Sequence, residues 1–113
     1  MSESKQREGI PPGTLEMLIL KTLSRHKPMH GFEIAEFILE TSSGVLQVEE
    51  GSLYPALQRM LLKDWISGDW GKTEENRRAR YYSMTAEGRK QLARELDRYA
   101  RVSEAIAAIL QPA

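Results

Sequence analysis

The sequence has no cysteine, few aromatic residues and no long apolar run. Without cysteine the chain cannot form disulfides or thiolate sites, and this composition fits a reducing compartment, so we expect a cytoplasmic protein. No apolar stretch reaches the roughly 20 residues that cross a bilayer, and no apolar segment follows the charged N-terminus. Neither membrane insertion nor secretion is therefore expected.

An excess of charge of either sign is also missing. Lys and Arg number 16, and Asp and Glu number 16, so no overall field attracts the chain to nucleic acid or anionic lipid. Any such binding must come from a local patch, or from symmetry that doubles a patch. The 113 residues, of which 41% are hydrophobic, suffice for one globular domain with its own core.

Apolar spacing predicts three short helices in the first half of the chain. Thr14 is placed to cap the first helix. The third must begin just before Pro55, because proline is tolerated in a first turn but not in a helix interior. The predicted ranges are Leu15 to His26, Gly31 to Thr41, and Gly51 or Ser52 to about Lys63.

In the second half of the chain the helical spacing of apolar residues gives way to segments typical of β-strands. Two aromatic segments, Trp65 to Trp70 and Arg80 to Met84, predict an antiparallel hairpin around a polar loop from Gly71 to Ala79. One of its two tryptophans should pack beneath the hairpin, and the other is exposed or covers a dimer. A long helix then follows Thr85, which can cap it. The domain boundaries are a flexible arm (1–12), a globular domain (13–85), a C-terminal helix (86–110) and a tail (111–113).

The predicted C-terminal helix, Ala86 to Leu110, is nearly 40 Å long at about 1.5 Å per residue, too long for so small a globule to cover. Its apolar residues approximate a heptad seam. This stripe either folds back on the chain's own core or, as we favour, pairs with its copy in a homodimer. Its members are Leu92, Leu96, Tyr99, Val102, Ile106, Ile109 and Leu110.

Signals of an enzyme or of a metal site are absent from the sequence. There is no nucleophile elbow and no phosphate-binding glycine loop, so no catalytic residues are assigned. The two histidines, His26 and His30, are separated by Pro28 and have no cysteine partner, so neither a metal ion nor another cofactor is expected.

Three helices followed by a two-stranded hairpin is the order of a winged helix-turn-helix, a mainly α fold whose third helix enters the DNA major groove. Gln58 and Arg59 lie on that helix opposite its leucines. His30, at the start of the second helix, can donate to a phosphate or act only as a cap. The hairpin turn has four basic and two acidic residues, a local charge of +2, and either contacts phosphates or is a solvated loop. The basic residues are Lys72, Arg77, Arg78 and Arg80.

Three motifs resemble the PadR family of bacterial transcription regulators. They are Val48–Leu57 (VEEGSLYPAL), the arginine-rich turn with Tyr81 and Tyr82, and Thr85–Arg89 (TAEGR). The chain resembles the short members, which add one dimerisation helix to the winged domain. The stretch from Leu46 to Tyr82, which includes Asn76–Arg80 (NRRAR), resembles an acidobacterial subgroup often associated with permease-like genes.

The resemblance implies a homodimeric repressor of nearby genes that binds a pseudo-palindromic double-stranded operator. It further implies that Ser52 and Tyr54 meet a phosphate or a base edge, whereas without it Ser52 is a cap and Tyr54 a partly buried ring. In this family a small hydrophobic effector commonly relieves repression, and Tyr99 with Trp65 is the candidate pocket here. Related proteins often carry tryptophan at the position of Tyr99. The alternative function is a winged helix that binds another protein and no specific DNA.

Overall fold

The computed structural model describes residues 6–112, and within them it contains four helices and one two-stranded antiparallel sheet. The fold is mainly α, a winged helix-turn-helix with a long C-terminal helix, as predicted. The elements are α1 (Leu15–Ser24), α2 (Gly31–Thr41), α3 (Glu50–Leu62), β1 (Ile66–Lys72), β2 (Arg78–Met84) and α4 (Ala86–Leu110).

The core lies between the first three helices and the base of the hairpin. Its largest fully buried side chains come from α1, α2, α3 and β1, and burying each one contributes about 1.5–3 kcal/mol. They are Ile19, Leu20, Ile34, Leu53, Leu57, Met60 and Ile66. Leu53 and Leu57 face the core from α3, so the opposite side of that helix remains exposed to solvent.

The ends of α1 differ from the prediction. The Thr14 hydroxyl does not cap the helix, because it donates to the Pro11 carbonyl oxygen at 2.8 Å. The helix ends at Ser24 rather than His26, since the Arg25 N–H donates to the Leu23 and Thr22 carbonyls and tightens the last turn. Pro28 thus follows a helix that has already ended.

The predicted placement of Pro55 in a first turn is also wrong. Helix α3 begins at Glu50, with Glu49 as its N-cap, so Pro55 is the sixth helical residue. A proline at that point leaves the Gly51 carbonyl without its usual donor. Gly51 is exposed, so water can satisfy this carbonyl near the helix start.

The hairpin strands are longer than predicted, and the loop is only Thr73–Arg77. The Thr73 N–H donates to the Arg77 carbonyl, the Thr73 hydroxyl accepts from the Arg77 N–H, and Asn76 takes a φ of 66°. This compact turn pairs Trp70 with Arg80 across the strands. Met29 extends the sheet by one bridge, exchanging two backbone hydrogen bonds with Tyr82.

The flexible arm predicted for residues 1–12 is corrected over its described part. The Glu8 N–H donates to the Val45 carbonyl at 2.7 Å, and the Glu8 carbonyl accepts from Gln47 at 3.0 Å. Ile10 packs against the core beside this bridge. Residues 1–5 of that arm, and Ala113 of the predicted tail, lie outside the described residues.

The first two turns of α4 are fixed to the winged domain. The Thr85 side chain caps the helix by accepting from the Gly88 N–H, and Gly88 packs so closely on the Trp65 carbonyl oxygen that a Cβ would collide with it. Leu92, assigned above to the dimer seam, is buried in the protomer's own core at 6% exposure. It is removed from the candidate dimer surface, which begins at Leu96.

Candidate nucleic-acid interface

An open groove of about 930 Å³ separates the outer side of α3 from the tip of the hairpin. It brings together six of the residues that the sequence assigned to DNA. These are His30 at the start of α2, Tyr54 and Gln58 on α3, and Arg77, Arg78 and Arg80 on the hairpin.

The hairpin lines this groove with the continuation of its core face. Side chains alternate between the two faces of a strand, so residues two apart point to the same side. At the base of the hairpin this face carries Ile66 and Tyr82, which are buried. Toward the tip the same face carries Trp70, Arg78 and Arg80, beyond the reach of the core.

Tyr54 is held in the groove by a glycine on the neighbouring helix. A Cβ at Gly31 would lie 2.8 Å from the Tyr54 ring, so only glycine allows this close approach. The tyrosine still exposes 46% of its surface. Gln58, one turn later on α3, is exposed on the same groove wall. The two side chains therefore present a hydroxyl and an amide to a ligand.

His30 is a helix cap as well as a groove residue. Its Nδ1 accepts from the Glu33 N–H, and Glu33 Oε1 accepts from the His30 N–H at 3.1 Å, a reciprocal capping box. Because Nδ1 is an acceptor, the ring's available donor is Nε2. That atom lies 3.7 Å from Glu33 Oε1, and the ring packs edge-on against Tyr81.

The hairpin arginines form no salt bridge in the described part of the chain. Within residues 6–112 the salt bridges join His30, Arg59, Lys90 and Arg101 to acidic partners, and none involves a hairpin cation. Glu74 and Glu75 therefore form no salt bridge with the hairpin cations among the residues that the structure describes, and the turn keeps its local charge of +2. Arg77 and Arg78 are exposed, and Arg80 is partly buried.

The remaining DNA candidates lie outside this groove. Arg59 is on the other side of α3, where its Nε donates to Glu16 Oε2 of α1 at 3.1 Å. Ser52 lies on that side too, beside residues 9–13 of the N-terminal segment. Lys72 is exposed at the end of β1, opposite Arg78 in the register.

Burial raises the pKa of the Tyr82 phenol above its ordinary value, although the nearby Arg80 charge acts in the opposite direction. Tyr82 closes the inner end of the groove and stays neutral at physiological pH. The groove lining also holds three arginines, set against the single carboxylate of Glu75.

The two residues of the candidate effector pocket are far apart in one protomer. Trp65 is partly buried against the core, and its carbonyl accepts from the Thr85 N–H at the start of α4. Tyr99 lies 13 residues beyond Ala86, roughly 20 Å along the helix. It is 52% exposed on the apolar stripe.

Two exposed aromatic residues of the groove were not assigned to DNA from the sequence. Phe32 is 65% exposed and Trp70 is 59% exposed, and both line the groove. Trp70 can be identified as a groove residue only when the register of the hairpin is known, because that register pairs it with Arg80. Phe32 follows directly after the His30-Gly31 pair that begins α2.

Over residues 6–112, no helix has the length and apolar character needed to cross a membrane. In the same part of the chain, no three His, Cys, Asp or Glu side chains gather in a geometry that could hold a metal ion.

Comparison with known proteins decides the family. The model of the transcriptional regulator PadR-like family matches residues 19–94. The chain belongs to this family. A PadR-like transcriptional regulator from Bacillus cereus has a similar structure, with a TM-score of 0.74, 29% identity, and coverage of 89% of this chain and 95% of that one.

Two further proteins are similar to this chain. A PadR family transcription regulator from Clostridium difficile has a TM-score of 0.74 and 27% identity, covering 88% of this chain and all of that one. An uncharacterised protein of Lysinibacillus sphaericus is 30% identical over 88% of this chain and 91% of its own length. This PadR-family chain is thus a DNA-binding transcription regulator and not an enzyme.

Proposed function

We propose that this PadR-family regulator is a homodimeric repressor that recognises a pseudo-palindromic operator through the groove between α3 and the hairpin. The observation that carries the proposal is the arrangement of that groove. It combines exposed polar side chains on the third helix with arginines that no carboxylate neutralises in residues 6–112.

The two walls of the groove have different tasks. Tyr54 and Gln58 lie on the helix that enters the major groove in this fold, where an amide can pair with an adenine edge. Arg77, Arg78 and Arg80 supply phosphate contacts or enter the minor groove, which adds affinity with little sequence information. Ser52 and Arg59, on the other side of α3, are assigned to the flanking backbone, and Lys72 and His30 to single phosphates.

The dimer is proposed to form through α4. Beyond Leu92 the apolar stripe of this helix is uncovered in the protomer, and a contiguous exposed apolar surface marks an interaction site. Its heptad-like spacing suits a second copy of the same helix. The stripe consists of Leu96, Tyr99, Val102, Ile106, Ile109 and Leu110.

A small hydrophobic effector is proposed to bind where Tyr99 meets the partner helix. Tyr99 is exposed within the stripe, and an aromatic ring there gives an apolar ligand a surface to stack on. Trp65 can join this pocket only across the dimer, because the two residues are too far apart within one protomer. The regulator is expected to act in the cytoplasm, where it meets chromosomal DNA.

The test is selection of bound sequences from a random duplex library, followed by fluorescence anisotropy with the selected site and with unrelated DNA. We expect a two-fold related site whose half-sites lie about one helical turn apart. Gln58→Ala should reduce the preference between sites. Arg77→Ala should weaken binding to all duplexes and lower the salt slope by about 0.9 for each protomer, which is about 1.8 for the dimer.

Arg25→Ala is the matched control, because Arg25 is an exposed arginine at the end of α1 that does not line the groove. It should leave the affinity and the preference unchanged. Failure to enrich any sequence, with the purified chain folded, would contradict sequence-specific binding and favour a protein-binding winged helix. The hairpin arginines, which have no acidic partner among residues 6–112, argue against that second function.

A further inference from the structure

We propose that Trp70 of the hairpin is a DNA-contacting residue, whose indole packs on the sugar-phosphate edge of the duplex between two arginine contacts. This inference rests on the proposed function and adds an apolar contact to an interface otherwise made of charges and hydrogen bonds. The starting observation is that Trp70, a large aromatic side chain, is exposed in a basic groove. The fold alone does not require an aromatic residue there.

The position of Trp70 follows from the register of the hairpin. Trp70 pairs with Arg80 across the strands, and Lys72 pairs with Arg78. Because these four residues share parity, they lie on the face that carries Ile66 and Tyr82 into the core. The indole therefore lies on the groove side of the hairpin and not on its outer side.

Two guanidinium groups lie over this indole. The central carbon of Arg78 is 4.3 Å from the ring centroid of Trp70, and that of Arg80 is 5.8 Å away. A guanidinium over an exposed indole is attracted to the negative face of the ring through the cation–π interaction. The stack therefore holds the ring and both cations in one arrangement before a ligand binds.

The stack leaves most of the ring uncovered. Trp70 exposes 59% of its surface even with Arg78 over it. The Arg80 Nε is buried against Gly68, where a Cβ would collide with it, so the stem of that arginine lies across β1. An uncovered indole beside two cations matches a surface that alternates apolar sugars with phosphates.

The second tryptophan provides an internal control. Trp65 is partly buried against the core, and Lys63 lies over its ring with Nζ 4.7 Å from the centroid. It lines neither wall of the groove. Because the chain contains only these two tryptophans, the variant Trp65→Phe emits from Trp70 alone, and Trp70→Phe emits from Trp65 alone.

The experiment uses the full chain and a mixed-sequence duplex of about two helical turns at roughly 50 mM salt, where phosphate contacts support binding without an operator. Saturating duplex should quench or shift the emission of the Trp65→Phe protein and leave that of the Trp70→Phe protein unchanged. Trp70→Leu should weaken binding about tenfold, whereas Trp70→Phe should retain part of the lost affinity.

The salt dependence separates contact from positioning. Because Trp70 is neutral, Trp70→Leu should leave the salt slope unchanged, whereas Arg78→Ala should lower it by about 0.9 for each bound protomer. A slope that falls by about two for each bound protomer in Trp70→Leu would overturn the proposal, since Trp70 would then act only by holding its two arginines. Unchanged Trp70 emission at saturating duplex would overturn it as well.

The inference and the proposed function fail in different ways. If the unmodified chain binds the duplex and Trp70→Leu binds equally well, DNA binding stands and the role of Trp70 is refuted. If the unmodified chain binds neither this duplex nor any selected site, both are refuted. Circular dichroism and thermal unfolding of each variant check that the exposed substitution has left the fold intact.

Discussion

The substitution Ile106→Asp tests whether the exposed stripe of α4 is the dimer interface. Ile106 lies in the middle of the stripe and exposes 51% of its surface in the protomer. Its substitution cannot disturb the protomer's own core, because the last buried residue of α4 is Leu92, almost four turns earlier. Any change in assembly therefore reports on the contact between copies.

The expected magnitude follows from the exposed fraction. Burying the open half of an isoleucine in an interface contributes about 1 kcal/mol per copy, and both copies lose it. A carboxylate without a partner in an apolar contact costs at least about 1 kcal/mol more at each site. The total of about 4 kcal/mol at the low end corresponds to a rise in the dimer Kd of about a thousandfold.

Ala108→Asp is the matched control, because it adds the same side chain on the opposite face of α4. Residues two apart on a helix are separated by about 200° around its axis. Sedimentation velocity over a range of concentrations should give twice 12.9 kDa for the unmodified chain and for Ala108→Asp, but 12.9 kDa for Ile106→Asp. Equal masses for the two variants would refute the assignment of the stripe.

Three further outcomes follow from packing and charge. Gly88→Ala should destabilise the protein by about 1–3 kcal/mol in chemical denaturation, because its methyl group meets a backbone carbonyl, whereas Gly51→Ala, with open space around it, should be neutral or stabilising. Because burial raises the pKa of Tyr82, the unfolded state loses the phenol proton first, so stability should fall as pH rises above about 10, and Tyr82→Phe should flatten that part of the profile. A double-mutant cycle between Arg59 and Glu16 should give a coupling below about 1 kcal/mol, since Arg59 is more than half exposed, and a larger value would show a pair better shielded from water than its exposure implies.

The parts of the fold that the sequence predicts correctly are those with local signals. Helix α2 has its predicted bounds because His30-Gly31 begins it and Ser42-Ser43-Gly44 ends it. Helix α4 also has its predicted bounds, since Thr85 caps it and the apolar period continues to Leu110. In each case the signal lies within a few residues of the boundary that it sets.

The errors concern contacts between distant parts of the chain. The bridge from Glu8 to Leu46 joins segments almost 40 residues apart and has no periodic pattern in the sequence. The N-terminal segment was therefore predicted to be a flexible arm, although its described part pairs with the rest of the fold. Leu92 has the same helical period as Leu96. Leu92 is buried and Leu96 is exposed because the winged domain covers α4 only as far as Leu92, and this limit is a tertiary feature that the spacing does not show.

The candidate site shows the same division. Helical geometry was enough to place Gln58 outward, and composition was enough to identify the basic turn. Trp70 was missed as a groove residue, because its direction depends on the hairpin register, which the five-residue turn from Thr73 to Arg77 sets. Arg59 was expected to point outward and is exposed, but its pairing with Glu16 on α1 is a tertiary contact that spacing cannot show.

The attachment of α4 to the winged domain gives the proposed effector a means of control. Gly88 and Leu92 fix the start of α4 against a close-packed core, so a rotation of the helix carries α3 and the hairpin with it as one body. The longest dimension of the protomer is 56 Å. If the groove lies about half that distance from the proposed dimer contact, a rotation of about 10° moves it by roughly 5 Å. That displacement exceeds the rise of one base pair, about 3.4 Å, whereas two half-sites must match a fixed spacing of about 34 Å. A ligand that binds between the two α4 helices and favours a rotated dimer therefore weakens operator binding without touching the groove.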